Sequence, residues 1–300
     1  MTSPSSMKKH LLTFYTRTPL HVGSGATVGA VDLPIVRERI TNYPIIPGSG
    51  LKGVLLQAAR AKWGDARSVA LPDEAKLLFG TADEKASDGS EKTSGNAGCI
   101  QIQEGKLLAF PVRSVAGGFA WLTCPAALHR FNRDTGRKLP VPVLAPDHVI
   151  AGTELKVGNS VVLEEYALTL DSGSVDALAK ELAGVCQDPL WRDLLGKRLA
   201  VVHDENFQHF VTTCTEIVTR IAIDPATRTV AGTALFNQEN VPCETLFYSV
   251  LTVLPGRRAN ATHAPDAKLA ELLPDSGLLL QIGGDETTGH GQCDTFRTAL

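Results

Sequence analysis

Apolar and polar residues alternate near the start of the chain, which is the pattern of a β-strand from residue 9 to residue 18. Later apolar runs, bounded by turn residues, predict further strands at 42–47, 99–103, 106–112, 198–203, 246–254 and 278–282. The run at 278–282 is expected to be the last strand. Helical spacing predicts helices at 51–63, 173–184, 189–197 and 266–273. Because strands and helices are mixed without regular β-α-β alternation, the pattern favours an α+β fold over a doubly wound sheet.

A longer alternating segment between residues 215 and 236 predicts a β-hairpin. Its first arm is 216–223, its turn is 224–227 (Asp-Pro-Ala-Thr), and its return arm is 228–232. A different segment, 81–98, is rich in Ser, Gly, Asp and Lys and holds almost no apolar residues. We therefore expect a mobile surface loop at 81–98.

The segment 47–53, Pro-Gly-Ser-Gly-Leu-Lys-Gly, leads into the first predicted helix. Ser49 is a suitable N-cap, and Gly64 is a suitable C-terminal stop. The free amides of a helix N-terminus, flanked by Gly50 and followed by Lys52, form a site that attracts anions such as phosphate. The alternative is an ordinary capped helix whose Lys52 faces water.

A glycine-rich loop near the end of the chain contains Gly283, Gly284, Gly289 and Gly291. Gly284 and Gly289 have the glycine spacing of a Walker A loop. However, His290 and Gly291 occupy the positions at which a Walker A loop has the Lys and Ser/Thr that reach the phosphates and Mg²⁺. A dinucleotide fingerprint is excluded, because only nine residues follow Gly291. The glycines therefore allow close approach of the backbone, either to a packed neighbour or to the phosphates of a ligand.

Two residues near the N-terminus are candidates for chemistry. Asp32 is a lone carboxylate in the segment 31–39, which Pro34 keeps extended. It is suited to general acid–base or metal chemistry, and an ordinary solvated aspartate is the alternative. His21, in the preceding glycine-rich stretch, is either an acid–base group or a turn histidine.

Composition is that of an ordinary globular protein, with 300 residues, 43% hydrophobic and 20% charged. The net charge of −3 speaks against a nucleic-acid binder, but its distribution does not. Residues 1–67 hold nine Lys/Arg and three Asp/Glu, a net charge of +6, and the other 233 residues carry −9. A polyanion should therefore bind near the N-terminal part.

The six cysteines form no C-x-x-C pair, which argues for reduced, buried thiols. No membrane span or signal peptide is predicted, and the cytoplasm is the expected location.

Several motifs in a fixed order give the chain a resemblance to a known family. They are His21-Val22-Gly23-Ser24-Gly25, Val31-Asp32-Leu33-Pro34-Ile35, Pro47 to Gly53, Phe110-Pro111-Val112-Arg113-Ser114, Glu239-Asn240-Val241-Pro242 and Gly283-Gly284-x4-Gly289-x-Gly291. Together they resemble the RAMP superfamily of CRISPR proteins, and within it the backbone subunit of type III-B (Cmr) effector complexes. The resemblance implies one RAMP domain over residues 1–300, with a modified RRM-like (ferredoxin-like) palm, a β-hairpin thumb at 215–236 and helical insertions.

The resemblance also implies an activity. Copies of such a subunit stack as a helical filament along a guide RNA, beside other effector subunits, and cut target RNA next to each thumb. The cut is made by a metal-dependent endoribonuclease reaction that uses the target's 2′-hydroxyl, with Mg²⁺ or another divalent cation at the cleavage site. The catalytic aspartate falls on Asp32, which acts as general base or metal ligand. Arg37 or Arg39 could stabilise the developing phosphorane charge.

The same resemblance implies a set of RNA-binding residues: His21, Arg37, Arg39, Ser49, Gly50, Lys52, Thr219, Arg220, Gly283, Gly284, Gly289, His290 and Gly291. Three other functions stay open from the sequence. The chain could be a guide-RNA scaffold that does not cut, a RAMP nuclease that processes precursor guide RNA, or an enzyme whose glycine loop binds a phosphorylated small molecule.

Overall fold

A computed structural model of the chain describes residues 7–25, 30–64, 70–81, 95–255 and 264–300. The strands are β1 (Lys8–Thr16), β2 (Ile45–Ile46), β3 (Ile100–Ile102), β4 (Gly105–Ser114), β5 (Gly118–Thr123), β6 (His148–Ala151), β7 (Lys156–Val157), β8 (Ser160–Leu163), β9 (Tyr166–Leu170), β10 (Leu199–Val202), β11 (Glu216–Ile223), β12 (Val230–Asn240), β13 (Leu246–Val253), β14 (Leu278–Gln281) and β15 (Gln292–Ala299). The helices are α1 (Gly48–Trp63), α2 (Asp73–Phe79), α3 (Pro125–Thr135), α4 (Asp176–Ala183), α5 (Pro189–Arg198), α6 (Asp204–Thr213) and α7 (Pro265–Leu272), with 3-10 turns at Thr153–Leu155 and Glu286–Thr288. The predicted α+β class is confirmed.

Most of the strands belong to one large sheet, in which β1 is the third strand from one end. β1 pairs antiparallel with β13 on one side and with β15 on the other. Successive side chains of a strand point to opposite faces. Phe14 packs in a cluster that includes Leu55 of α1, whereas Tyr15 packs in a second cluster that includes Trp191 of α5. Because helices cover both faces here, β1 is buried on both sides after its first residues.

The predicted hairpin is confirmed as a separate two-stranded sheet of β11 and β12. The return arm is longer than the predicted 228–232, because β12 continues to Asn240. At the turn, Asp224 Oδ1 accepts hydrogen bonds from the N–H groups of Ala226 (2.7 Å) and Thr227 (3.1 Å). These bonds lower the pKa of the Asp224 carboxyl, the bond from Thr227 contributing most. An Asx turn thus explains why the chain reverses here.

The start of α1 differs from the prediction. The helix begins at Gly48, and its first backbone bond runs from the Leu51 N–H to the Pro47 carbonyl at 3.0 Å. Pro47 is therefore the N-cap, and no side chain caps the helix. Ser49, predicted as the N-cap, lies within the first turn instead. The predicted stop is confirmed, because the Gly64 N–H donates to the Arg60 carbonyl at 3.0 Å.

The end of the chain also differs from the prediction, because β14 is not the last strand. Eight of the nine residues after Gly291 form β15, which lies between β14 and β1. Helices α2, α3 and α6 were not predicted either. Helix α3 begins with Pro125, which favours the first position of a helix although it breaks a helix interior. Of the predicted loop 81–98, residues 82–94 lie outside the described residues.

The loop between β14 and β15 supplies a stability test with a matched control. Gly291 has a φ of +73°, and a Cβ there would lie 1.9 Å from the Ile282 carbonyl oxygen. Gly289 has a similar φ of +80°, but a Cβ there would meet nothing within 4 Å. We expect Gly291→Ala to lower the free energy of unfolding by about 3 kcal/mol and Gly289→Ala by about 1 kcal/mol. Urea unfolding of the two variants measures the difference, and equal losses would contradict the steric argument.

Candidate functional site

Asp32 lies beside the root of the hairpin, in an extended segment that runs along β12. The Leu33 N–H donates to the Asn237 carbonyl at 3.0 Å, and the Glu239 N–H donates to the Leu33 carbonyl at 3.0 Å. Oδ2 of Asp32 accepts a hydrogen bond from the Asn237 N–H at 2.8 Å. The residue is exposed to solvent. Backbone contacts therefore hold an accessible carboxylate at a fixed place beside the hairpin.

A buried carboxylate, Glu239, ties this segment to the hairpin. Its side chain accepts hydrogen bonds from the Ile35 N–H (3.0 Å) and the Thr215 hydroxyl (2.8 Å), and it forms an ion pair with Arg37 at 2.5 Å. Its backbone carbonyl lies 2.7 Å from His21 Nδ1. One residue therefore joins β12, the start of β11 and two N-terminal segments. We call this group of contacts the Glu239 clamp.

The clamp changes the role assigned to Arg37. Its guanidinium also donates to the carbonyls of Asn42 (2.8 Å) and Val211 (2.9 Å), and its side chain is only 13% exposed. Buried cations are tolerated when they are paired in this way. The structure therefore gives Arg37 a place within the clamp, where it is paired with protein groups; its binding to RNA stays a prediction. Arg39 differs, because it lies in an exposed turn.

His21 is a partly buried residue whose ring is fixed on one side. A carbonyl can only accept, so the contact with the Glu239 carbonyl requires a proton on His21 Nδ1. In the neutral ring this leaves the lone pair on Nε2. The His21 carbonyl in turn accepts a hydrogen bond from the Gly284 N–H at 2.9 Å. The sequence offered two interpretations of His21, a turn histidine or an acid–base group, and the geometry is compatible with both. The ring is anchored through Nδ1, and its Nε2 is able to accept a proton.

A polar network joins the hairpin to the glycine-rich loop. Arg220 of β11 pairs with Asp285 at 3.1 Å and lies 3.4 Å from His290 Nδ1. The Gln238 amide of β12 donates to the same Asp285 carboxylate at 2.5 Å. Thr219 is not part of this network. It is exposed and donates across the hairpin to Asn237 Oδ1 at 2.8 Å.

The glycine-rich loop itself is packed against its neighbours. A Cβ at Gly283 would lie 2.2 Å from the His21 carbonyl oxygen, and Gly291 is similarly close to Ile282. The amides of Gly284, Gly289 and Gly291 all donate within the protein, at 2.9, 2.9 and 2.8 Å. Of the two alternatives drawn from the sequence, close packing is the correct one for these amides. Gly283 and Gly291 are thus needed for close packing of the fold, and their binding to RNA stays a prediction.

A second exposed surface is the start of α1. Ser49, Gly50 and Lys52 are exposed, and a Cβ at Gly50 would meet nothing within 4 Å. The first amides of a helix have no partner within it, and the helix dipole places partial positive charge there. Lys52 and Arg60 also line a cavity of about 700 Å³ against β3. The structure thus combines backbone donors and cations on one open surface.

The metal ligand predicted from the sequence is a single carboxylate, that of Asp32. Among the described residues, no group of three His, Cys, Asp or Glu side chains is placed to hold a metal ion. Mg²⁺ is often held by one or two carboxylates together with substrate phosphates and water. The exposed Asp32 fits that kind of shared site and does not fit a cage built by the protein.

Several polar residues of this region were not predicted as site residues. Asn237, Gln238 and Glu239 follow one another in β12, and Asp285 lies in the glycine-rich loop. The signal available in the sequence was a run of polar residues in a strand that leads directly into Val241. Buried polar groups need partners, so such a run indicates a network rather than a plain core strand.

Comparisons with known proteins identify the family. The chain is 38% identical to the CRISPR system Cmr endoribonuclease Cmr4 of Pyrococcus furiosus, over 95% of this chain and 94% of that protein. Its fold is similar to the crystal structure of oligomeric Cmr4 from Pyrococcus furiosus, with a TM-score of 0.72, 30% identity and coverage of 98% and 99% of the two chains. A chain of the type III-B Cmr-beta complex bound to cognate target RNA shares the fold, with a TM-score of 0.71, 19% identity and 98% coverage of each chain.

The part of the chain that the structure describes has no helix long and apolar enough to cross a membrane. The family model of the RAMP superfamily matches residues 13–294, which is nearly the whole chain. This match confirms the family resemblance found in the sequence motifs. The chain belongs to the RAMP superfamily.

Proposed function

We propose that this chain is the guide-RNA-binding backbone subunit of a type III-B CRISPR effector complex and cleaves complementary target RNA at regular intervals, in antiviral defence. The observation that carries the proposal is the exposed Asp32 carboxylate, held at the root of a projecting hairpin by the Glu239 clamp. Identity of 38% to a Cmr endoribonuclease along 95% of the chain supports the same activity.

The proposal includes a ferredoxin-like palm within one RAMP domain over residues 1–300. Support comes from the order β15-β1-β13-β4, in which neighbouring strands are antiparallel. With α1 between β1 and β4, and α7 between β13 and β15, the chain follows the βαββαβ order of that fold. The hairpin at 215–236 and helices α3 to α6 are then insertions between β4 and β13, and the hairpin is the thumb.

Guide RNA is proposed to bind at the start of α1. Ser49 and Gly50 offer amides, and Lys52 offers a cation, to phosphates of the guide. Such contacts read the backbone of a single strand and carry no base code, so guide pairing supplies the sequence specificity. The local charge of +6 over residues 1–67 favours the guide on this side of an otherwise acidic protein.

The hairpin is proposed to open the guide–target duplex. It exposes large apolar side chains, including Ile217 (51%), Ile221 (49%), Ile223 (59%) and Leu235 (63%). An apolar wedge that displaces one nucleotide breaks the regular helix at that point. The freed strand can then align its 2′-hydroxyl, phosphorus and leaving oxygen, which a regular duplex prevents.

Asp32 would then act on the target strand. As general base it removes the proton of the 2′-hydroxyl, whose oxygen attacks the adjacent phosphorus. The P–O5′ bond breaks, which leaves a 2′,3′-cyclic phosphate on one product, and the departing 5′-oxygen takes up a proton to become a hydroxyl. His21 Nε2 is a second group beside the clamp that can hold a proton, and Arg39 supplies positive charge for the phosphorane. A divalent ion such as Mg²⁺, held by Asp32 and the substrate phosphate, would neutralise charge on the phosphate.

Assembly with other subunits belongs to the same proposal. Further copies of this chain are proposed to stack as a helical filament along the guide, beside other effector subunits. The oligomeric state of the similar Cmr4, and a fold shared with a Cmr-beta complex bound to target RNA, support it. All six cysteines are free thiols, which suits the reducing cytoplasm that we propose as its location.

Asp32→Asn tests the catalytic assignment. Asparagine keeps an acceptor for the Asn237 N–H but loses the charge, so the fold should persist while cleavage falls at least about 100-fold. Assembled complexes with labelled complementary RNA measure cleavage, and gel shifts with the same RNAs should give unchanged affinity. Cleavage at the wild-type rate would remove Asp32 from the mechanism.

Treatment of the wild-type complex with a chelator separately tests the metal. We expect cleavage to be lost and to be restored when Mg²⁺ is added.

The same assay separates the other functions. A scaffold would give no products in wild-type complexes, and a precursor-processing nuclease would cut guide precursor rather than target. Evenly spaced products from the target are expected only from the function proposed here. An enzyme that binds a phosphorylated small molecule in the glycine-rich loop is disfavoured, because the amides of that loop already donate within the protein.

Arg37 and Arg39 form a matched pair for separating structure from RNA contact. Arg37→Gln should lower the free energy of unfolding by about 3 kcal/mol, because it leaves the buried Glu239 carboxylate without its cation. Arg39→Gln should change stability by less than about 0.5 kcal/mol and weaken RNA binding instead. Chemical denaturation and RNA titration of both variants test this, and the reverse pattern would refute it.

Lys52→Ala tests the guide path through its salt dependence. Loss of one phosphate contact should make the slope of log K against log salt shallower by about 0.7 for single-stranded RNA. Titrations with guide RNA at several salt concentrations provide the slope. Lys180→Ala on α4, also an exposed lysine, is the control and should leave it unchanged. An unaltered slope for Lys52→Ala would exclude this contact.

A further inference from the structure

A cavity of about 380 Å³ lies at the hairpin root, beside the end of α6. The turn between β8 and β9, the C-terminal part of α6, and Thr215 at the start of the hairpin line it. Its volume falls within the range of small-molecule sites, roughly 300–1,000 Å³. We call it the aromatic pocket, because three rings meet there: Tyr166, His209 and Phe210.

The rings are arranged edge to face, and two of the three are open to solvent. Tyr166 and His209 have ring centroids 5.0 Å apart with an interplanar angle of 74°, and Tyr166 and Phe210 are 5.7 Å apart at 89°. Phe210 is buried and anchors the group, whereas Tyr166 is 41% exposed and His209 is also exposed. Edge-to-face contacts leave ring surface unused within the cluster, so an incoming flat ring can stack on it.

The charges of the pocket select against phosphate. One guanidinium and two carboxylates line it, and Arg113 is already paired with Glu164 at 2.7 Å. Glu165 remains as an exposed acceptor. Burial is the main cause that raises the pKa of the Cys214 thiol, and the nearby carboxylates add to it. A hydrogen bond from Thr213 opposes this effect but does not cancel it, so the thiol stays neutral at neutral pH. A neutral flat ring with amino donors fits this lining, and an anion does not.

The pocket is coupled to the site of Asp32 through Thr215. Thr215 lines the pocket, and its hydroxyl donates to Glu239 Oε1 at 2.8 Å within the clamp. Thr219, which bonds Asn237 beside Asp32, lies four residues further along the hairpin arm. Four strand residues span about 13 Å, a distance that a few nucleotides can bridge.

From these observations we infer that the aromatic pocket holds a nucleobase pushed out of the RNA stack by the hairpin. The inference rests on the proposed function and adds the place where the displaced base goes. Tyr166 and His209 supply the stacking surface, and the Glu165 carboxylate accepts hydrogen bonds from exocyclic amino groups. The pocket thus favours the open arrangement of the strand by stabilising the base that has left the stack.

The test uses complexes assembled with guide RNA that contain one 2-aminopurine, placed at successive positions of either the guide or the target. Stacking on aromatic rings quenches this base. In the wild-type complex we expect the base to be quenched both in the duplex and at the displaced positions, and Tyr166→Ala should raise the fluorescence only at the regularly spaced displaced positions. It should also weaken target binding about tenfold. Tyr166→Phe keeps the ring and should behave as the wild type does.

His209→Ala serves as a second variant, because this exposed residue can be replaced without disturbing the core. Val143→Ala, at a residue that is 96% exposed in the Pro-rich segment after α3, is the control. A signal in the guide arm or in the target arm supports the inference and names the strand. If neither Tyr166→Ala nor His209→Ala alters fluorescence or affinity, the inference is overturned, and a protein side chain is then the better occupant.

Failure here is distinct from failure of the proposed function. The wild-type complex must still give evenly spaced, Asp32-dependent products for the proposed function to stand, whatever the fluorescence of the pocket variants. If the wild-type complex gave no such products, the proposed function itself would be refuted.

Discussion

The buried pair of Glu239 and Arg37 is the interaction on which the arrangement of the site depends. A carboxylate and a guanidinium this far from water are stable only while each satisfies the other and while further hydrogen bonds take up their remaining capacity. Here Ile35, Thr215 and two carbonyls do so. The pair therefore fixes the direction in which the hairpin leaves the sheet and, through the same segment, the position of the exposed Asp32.

Local chemistry explains which parts of the fold could be predicted from the sequence. The first hairpin arm was predicted with the observed bounds, because its alternation and the Asp224 turn act over a few residues. The role of Arg37 could not be predicted, because its partner Glu239 is 202 residues away. Strand β15 was missed for a similar reason. It is held by pairing with β1, which is distant in sequence.

The placement of the candidate site divides in the same way. The motif containing Asp32 indicated a functional carboxylate, and the helix start with Lys52 indicated an anion site, since each pattern is continuous in sequence. The glycine-rich loop left two alternatives, and several of the contacts that show its close packing, such as that of Gly284 with the His21 carbonyl, come from segments distant in sequence. The net charge of the chain did not predict the RNA-binding surface, because a charged side chain that is paired within the protein contributes less to it than a free one. Arg220, for example, is engaged by Asp285, so RNA phosphate must compete with a carboxylate for it.

The hairpin is the part of the molecule whose design is hardest to explain by stability alone. A two-stranded ribbon is marginal in water, and this one exposes isoleucine and leucine side chains, a risk for aggregation. Its root is nonetheless tied down by the clamp and by the Arg220–Asp285 pair. A surface loop without a function would not need such a rigid root. The proposed function does require it, because an apolar wedge would have to enter the nucleic-acid stack at a constant distance from the Asp32 carboxylate, and rotation at the root would change that distance.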